Sequence, residues 1–249
     1  MRKAKHYLSA MLLVACFTQP AAAQFEGQIT YESYNYSEQQ TEEQQDEFTL
    51  TITPDRMMLS GNNSYNFMES IDTEGLLVRL DNEDFVFMTG KNQALKISKS
   101  DITSLMNMFD NGESPSDVAE EVDEINYKKT GETTDILGYK CEKFIFRDED
   151  NEDEYAIVWM TKEINVNWGM LADPWSGSAE DIVSNFPTNL VFKEKYFPVR
   201  VESYEDGQLD SKLEAKTISE KEISSRMVEV PSGISVMTFQ EYLFNQMEN

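Results

Sequence analysis

The stretch Val199-Arg200-Val201-Glu202-Ser203-Tyr204-Glu205-Asp206-Gly207-Gln208-Leu209-Asp210-Ser211-Lys212-Leu213-Glu214-Ala215-Lys216-Thr217 decides the fold class. Asp206-Gly207 is a tight-turn dipeptide, because both residues tolerate the positive φ that a two-residue hairpin loop demands. Beyond it, Asp210, Lys212, Glu214 and Lys216 alternate with Leu209, Ser211, Leu213, Ala215 and Thr217. That period of two predicts a strand with one wet and one dry face. Hence the segment is a hairpin.

Similar signals recur on both sides of it. Leu50 and Ile52 alternate with Thr49, Thr51 and Thr53, which predicts a half-buried strand. Leu76–Leu80 and Phe85–Met88 flank the turn Asp81-Asn82-Glu83-Asp84, and Cys141–Phe146 and Tyr155–Met160 flank the acidic tip Asp148–Glu154. Three segments predict helices. Ser100-Asp101 can cap a run with Ile102, Leu105, Met106 and Phe109 at helical spacing. Ser178 and Asp181 open a short one with Ile182, Val183 and Phe186, and Thr238-x-x-Glu241 is a capping box before Tyr242, Leu243 and Met247. Antiparallel hairpins with a few amphipathic helices predict one α+β domain, whose strongly curved sheet either wraps its helices or is covered by them on one face.

Residues 1–23 have the parts of a secretory signal. Arg2, Lys3 and Lys5 precede an apolar run from Tyr7 to Phe17, then Pro20 and Ala21-Ala22-Ala23. The run is too short to span a bilayer, and no other stretch approaches the length that would. The expected arrangement is a signal peptide over 1–23, cleaved after Ala23, and a single β-rich domain over 24–249. A lipobox reading competes, in which Leu13-Val14-Ala15-Cys16 leaves a lipoprotein anchored through Cys16.

Cleavage removes three cations and no acid, so a net charge of −25 on 249 residues becomes −28. Nucleic acid and anionic membrane surfaces repel such a chain. The only histidine, His6, leaves with the signal, and so does Cys16, leaving Cys141. Without imidazole there is no Ser-His-Asp triad, Cys-His pair or His-containing zinc site. A single thiol makes no internal disulfide, and beside Lys140 and Lys143 it reads as a small buried hydrophobe at the start of a strand. No Gly-x-Ser-x-Gly elbow or phosphate-cradling glycine loop is present. The acidic run Asp148–Glu154 lacks the glycine that an EF-hand needs at its sixth position, where Asp153 stands. That run, Glu42-Glu43-Asp46-Glu47 and Glu120-Glu121-Asp123-Glu124 read as solvated surface. Among 46 acids, no pair of carboxylates singles itself out for glycoside chemistry.

Methionine points elsewhere. Eleven of the 13 methionines follow the signal, and this flexible, polarizable side chain suits either an irregular core or a cavity for varied apolar partners. Trp159, Trp168 and Trp175 fall close together and could belong to the same wall.

Thr130-Gly131-Glu132, Ile136-Leu137-Gly138-Tyr139-Lys140-Cys141-Glu142-Lys143-Phe144, Val158-Trp159-Met160-Thr161 and the opening Gln24-Phe25-Glu26-Gly27-Gln28-Ile29-Thr30-Tyr31 resemble a family of exported bacterial proteins. This is the domain of unknown function 4412, which is similar to the LolA/LolB-like superfamily of periplasmic lipoprotein carriers. The resemblance spans most of the chain after the signal. It implies an open, strongly curved antiparallel half-barrel with helices packed in its concave face, where the carriers receive acyl chains. It transfers no catalytic residue.

The expected protein is a non-enzymatic, exported periplasmic protein that binds or carries a lipid or acyl ligand, probed at Met88, Met106, Phe109, Trp159 and Met160. The alternative is a structural or interaction protein of the envelope, with a filled core and an acidic surface that recognises a protein partner. Either way the expectation is a monomer with no cofactor, no metal, no nucleic-acid partner and no transmembrane segment.

Overall fold

The computed structural model describes residues 24–36, 42–67, 71–90, 92–109, 127–147, 153–172 and 187–247. The expected helix at Ser178–Phe186, Trp175 and the acidic stretches 120–124 and 148–152 lie outside them. Among the described residues, twelve strands form one sheet. They are β1 (Gly27–Tyr36), β2 (Glu42–Ile52), β3 (Arg56–Phe67), β4 (Ile71–Arg79), β5 (Asp84–Gly90), β6 (Gln93–Ser98), β7 (Tyr127–Ile136), β8 (Tyr139–Arg147), β9 (Tyr155–Thr161), β10 (Phe197–Glu205), β11 (Gln208–Glu220) and β12 (Ser235–Thr238). Helix α1 (Lys99–Phe109) follows β6, and α2 (Phe239–Met247) follows β12.

The strand order is β12-β6-β5-β4-β3-β2-β1-β11-β10-β9-β8-β7. From β1 at the centre the chain meanders outward to β6. It resumes at the far edge with β7 and meanders back to β11, which pairs with β1. All pairings between these strands are antiparallel except the short parallel one between β12 and β6. The sheet is curved and open, since β7 and β12 are edges and never meet. Seven of the eleven pairings carry a register shift, each of which adds twist and bends a strand. The β7 edge is blunted by such a shift between Lys129 and Thr133 and by the exposed Lys128 and Lys129, devices that discourage pairing with another chain.

The predicted hairpins form. Asp206 and Gly207 take φ of 50° and 73°, the left-handed pair that joins β10 to β11. Two predicted details differ. The α1 cap sits two residues earlier than the sequence suggests: Ser98 Oγ accepts from the Asp101 amide at 3.1 Å, and Asp101 Oδ2 accepts from the Ser98 amide at 2.9 Å. The Thr238–Glu241 box forms as expected, with the Thr238 amide donating to Glu241 Oε2 at 2.7 Å. The strand around Leu50 is not simply half-buried, because Thr51 and Ile52 are 3% and 0% exposed on opposite faces.

Register explains the core. Directly opposed residues share a face, and Met237, Leu95, Phe87, Leu76, Leu59, Leu50, Ile29 and Ile218 stand opposite one another strand by strand. A parallel row runs Ile97, Phe85, Val78, Met57, Ile52 and Gly27. It ends at Gly27 because a side chain there would overlap the Ser219 carbonyl and the Phe25 ring. From Leu213 the opposed pairs continue through Val201, Val158 and Phe144, but these three pack in a separate cluster with Met160, Leu190, Val191 and Tyr196. The reverse face of β3–β6 is also buried, by Leu77, Val86, Met88 and Ala94 against Ile223 and Val228 of the segment that follows β11. Both faces of β5 are therefore covered, and Phe85-Val86-Phe87-Met88 reads as an unbroken apolar run.

Candidate functional site

The apolar face built by these rows is the candidate binding surface. At its β6 end it is closed: Leu95 and Ile97 are fully buried, and Ile102 of α1 with Phe239 and Tyr242 of α2 pack in the same cluster. The segment 164–171 adds Ile164, Val166, Met170, Trp168 and Leu171 to that cluster. Trp168 stacks on Phe197 at 6.2 Å between centroids and meets Phe192 edge-on at 5.7 Å. Across β4, β3 and β2 the shielding weakens, before Ile29 of β1 is fully buried again. Leu76, Leu59, Leu50, Leu213 and Ile218 are only partly buried.

The five expected lining residues do not converge on one wall. Met88 packs with Leu77, Val86, Ala94, Ile223 and Val228 on the face opposite Phe87. Trp159 is partly buried against the largest cluster, with Lys143 Nζ 5.8 Å from its ring centroid. Its neighbour Met160 points the other way, as successive strand residues must, and packs with Phe144, Val158, Leu190, Val191 and Tyr196. Met106 and Phe109 belong to α1, but their side chains are outside the described set. The residues that do line the apolar face, such as Leu50, Leu76 and Leu213, carry an ordinary strand signature. Nothing local marks them, because a row across a sheet is assembled from residues far apart in sequence.

Two polar clusters frame this face. In the first, a π-type turn (Asn189–Lys193) leads to Tyr196, which is 2% exposed. Lys129 Nζ donates to the Tyr196 hydroxyl at 2.8 Å and pairs with Glu142 at 2.5 Å, while the Tyr196 hydroxyl donates to Glu142. Lys162 Nζ lies 4.2 Å from the Tyr196 ring centroid. This network ties the turn to β7 and β8. The hydrogen bond from Lys129 and then that from Tyr196 hold the Glu142 carboxyl below its usual range. A depressed carboxyl contributes stability that is complete above the unfolded value and lost as pH falls through the folded one. Falling pH also relieves the self-repulsion of a −25 chain, which acts in the opposite direction. The comparison with Glu142→Gln separates the two. Below about pH 5 the urea midpoint of the wild type is expected to fall relative to the variant, and parallel curves would show that the network adds nothing.

The second cluster lies on the opposite face of β1, β10 and β11. Glu214 pairs with Lys216 at 2.6 Å, Lys212 at 3.3 Å and Arg200 at 3.3 Å, and Lys216 reaches Glu32 at 3.3 Å. Lys212 and Lys216 flank the buried Tyr34 ring at 4.4 and 4.9 Å. While Asp210 stays exposed and Lys216 is 36% exposed, the expected wet face is thus shielded at Lys212 and Glu214, whose side chains are 16% and 13% exposed. Ion pairing and the aromatic ring remove these charges from water even though the alternation is polar. Burial raises the Glu214 carboxyl, but hydrogen bonds from Lys216 and Lys212 outweigh it and the net shift is downward.

Cys141 is fully buried, and burial pushes its thiol up to about 11, so little thiolate exists at neutral pH. Among the described residues, no group of three His, Cys, Asp or Glu side chains is placed to hold a metal ion. No described helix is long and apolar enough to cross a membrane.

The fold and its apolar face define a class: a protein built on one open, curved, mostly antiparallel sheet with a few short helices. Within that class, the chain belongs to the family described as Domain of unknown function (DUF4412), whose model matches residues 84–234. No curated protein matches the chain significantly. Among solved structures it is similar to PNGF-II, at 15% identity and a TM-score of 0.48, with 90% of this chain and 32% of that chain covered. It therefore spans about a third of the length of that protein. It is also similar to an uncharacterized conserved protein from Thermus thermophilus, at 9% identity and a TM-score of 0.39, over 86% of this chain and 91% of that one. A third similarity is to the Pseudomonas aeruginosa MucA/MucB complex, at 6% identity and a TM-score of 0.39, over 85% of this chain and 58% of that one.

Proposed function

We propose that the protein is a non-enzymatic, exported envelope protein that shelters an acyl or other apolar ligand against the apolar face of its sheet. In this reading the sheet is a half-barrel similar to those of the LolA-like carriers, with α1 and α2 on its concave side. Export follows from the secretory signal over residues 1–23, with cleavage after Ala23. The observation that carries the reading is a gap in the cover of one apolar row: Leu95, Phe87 and Ile29 are 0%, 1% and 0% exposed, whereas Leu76, Leu59 and Leu50 between them, and Ile218 beyond, remain partly open. An acyl chain laid along that row would gain about 0.8 kcal/mol per methylene. Association costs at least about 4 kcal/mol in lost freedom, so a chain shorter than about five buried methylenes would not be retained, and long-chain lipids are the fitting class.

Native mass spectrometry of the protein purified from a bacterial envelope tests this. Co-purifying lipid of long acyl length is the expected result, and a clean apo mass under gentle conditions overturns it. Crosslinked protein partners that disappear at high salt, with no bound lipid, would instead favour the acidic recognition protein.

A further inference from the structure

We propose that β12 and α2 form a flap, hinged at Pro231-Ser232-Gly233, that opens as one unit from the β6 edge and uncovers the closed end of the apolar face. The segment before the hinge is anchored. Ile223 and Val228 are 7% and 3% exposed in the cluster with Leu77, Val86 and Met88. The Ile223 amide donates to Glu26 Oε1 at 2.7 Å, the Lys221 amide to the Glu26 carbonyl at 3.0 Å, and Arg56 Nη1 to the Val228 carbonyl at 3.4 Å. The hinge itself is exposed and closed by a single long backbone hydrogen bond, from the Ile234 amide to the Pro231 carbonyl at 3.3 Å: Pro231, Ser232 and Gly233 are exposed, and Gly233 has a φ of 90° with open space where a Cβ would stand. This strap crosses one face of the sheet, rounds its edge at β12 and delivers α2 to the other face.

Just beyond the hinge Ile234 packs against that same cluster and the Ser235 amide donates to the Asn92 carbonyl at 2.9 Å, but further along the attachments are few. β12 is a four-residue edge strand and makes the sheet's one parallel pairing among the described strands, an arrangement slightly weaker per residue than the antiparallel one. Ser235, Val236 and Thr238 are exposed. Of the described α2 side chains, Phe239 and Tyr242 reach the core and only partly, while Phe244 is 65% exposed. Local opening free energy is low where few buried contacts must break, so this unit detaches at lower cost than the doubly covered strand β5. Beneath it lie Leu95 and Ile97, fully buried. Detachment therefore exposes the covered end of the row that is half open from Leu76 to Leu50. The hinge motion stands on these contacts alone, and its role as a gate rests on the acyl-binding reading above.

Hydrogen exchange on the full chain decides the motion without any ligand. Amides of β12 and α2 are expected to exchange about tenfold faster or more than those of β5 and than the Ile223 amide. A disulfide between Ser235→Cys and Gln93→Cys, which are register partners, in a Cys16→Ser background then separates unit opening from fraying. If β12 and α2 move together, the oxidised staple slows exchange throughout α2 and reduction restores it. Protection of β12 and α2 equal to that of β5, or a staple that leaves α2 unaffected, overturns the flap. A pyrene-labelled hexadecanoate reports the gate: uptake slowed by oxidation and restored by reduction is expected. Unchanged uptake alongside slowed exchange overturns the gate and leaves the hinge. No uptake by the unstapled protein rejects the acyl-binding reading, whereas exchange still judges the hinge.

Discussion

Phe87→Ala is expected to destabilise the protein by about 3–5 kcal/mol, the cost of removing a large buried aromatic ring and leaving its volume unfilled. Phe87 is 1% exposed and stands between Leu76 and Leu95 in the long apolar row. Its ring stacks on Phe85 with 6.5 Å between centroids. Both strand neighbours are hydrogen-bonded into the sheet, so the backbone has little freedom to collapse into the gap. Urea titration would read the loss as a lower midpoint with an unchanged slope. A loss under about 1 kcal/mol would mean that the row is looser than it is drawn. The same substitution is expected to widen rather than abolish acyl binding, since it enlarges the space under α1 and α2. A stability change and a binding change of opposite direction would therefore distinguish a packing role from a ligand role.

The second large effect concerns a charge pair. Arg79→Met is expected to cost about 3–5 kcal/mol, because it strands the Asp84 carboxylate. Arg79 Nε and Nη2 hold both Asp84 oxygens at 2.6 and 2.5 Å, and the Asp84 side chain is only 9% exposed. The two residues are register partners closing the β4–β5 hairpin. Removing one partner leaves an uncompensated buried charge, whereas removing both costs much less. The double variant Arg79→Met/Asp84→Asn is thus expected to recover most of the loss, as read by the same urea midpoints. If the double variant were as unstable as the single one, the fork would be contributing shape and not charge compensation.

Asp84 also marks where sequence reading stops. As the fourth residue of Asp81-Asn82-Glu83-Asp84 it looks like a solvated turn acid, yet the turn is over by Glu83, at φ 54°, and Asp84 already belongs to β5. Arg79 sits five positions away, with nothing local to pair them. The same limit applies to Lys212 and Glu214. Their alternation identifies a strand face correctly, but the Tyr34 ring and the neighbouring ions that shield them come from β1 and β10. By contrast, hairpins at 81–83 and 206–207 and the Thr238–Glu241 cap were legible, because turn and capping chemistry involves residues within four positions of one another.

Methionine content was a weaker guide. Met88 and Met160 have comparable apolar surroundings in sequence, but the structure assigns them to separate clusters. The apolar row beside them, from Met237 to Ile218, draws one residue from each of eight strands. Which residues meet in such a row depends on register and bulges, and a shift of one residue sends a side chain to the other face.

By itself the sequence determined the composition of the elements and an acidic chain built of hairpins, with a single histidine at position 6. These follow from local periodicity, turn residues and charge, all of which act between near neighbours. Only the tertiary structure decided the strand order, with β1 joined to β11 at the centre and β12 returning to β6 at the edge. It alone decided which face is apolar from end to end and where its cover thins. Those properties come from pairings between residues as distant as Ile29 and Ile218, whose contact is set by the closing of the whole sheet rather than by any preference of the residues themselves.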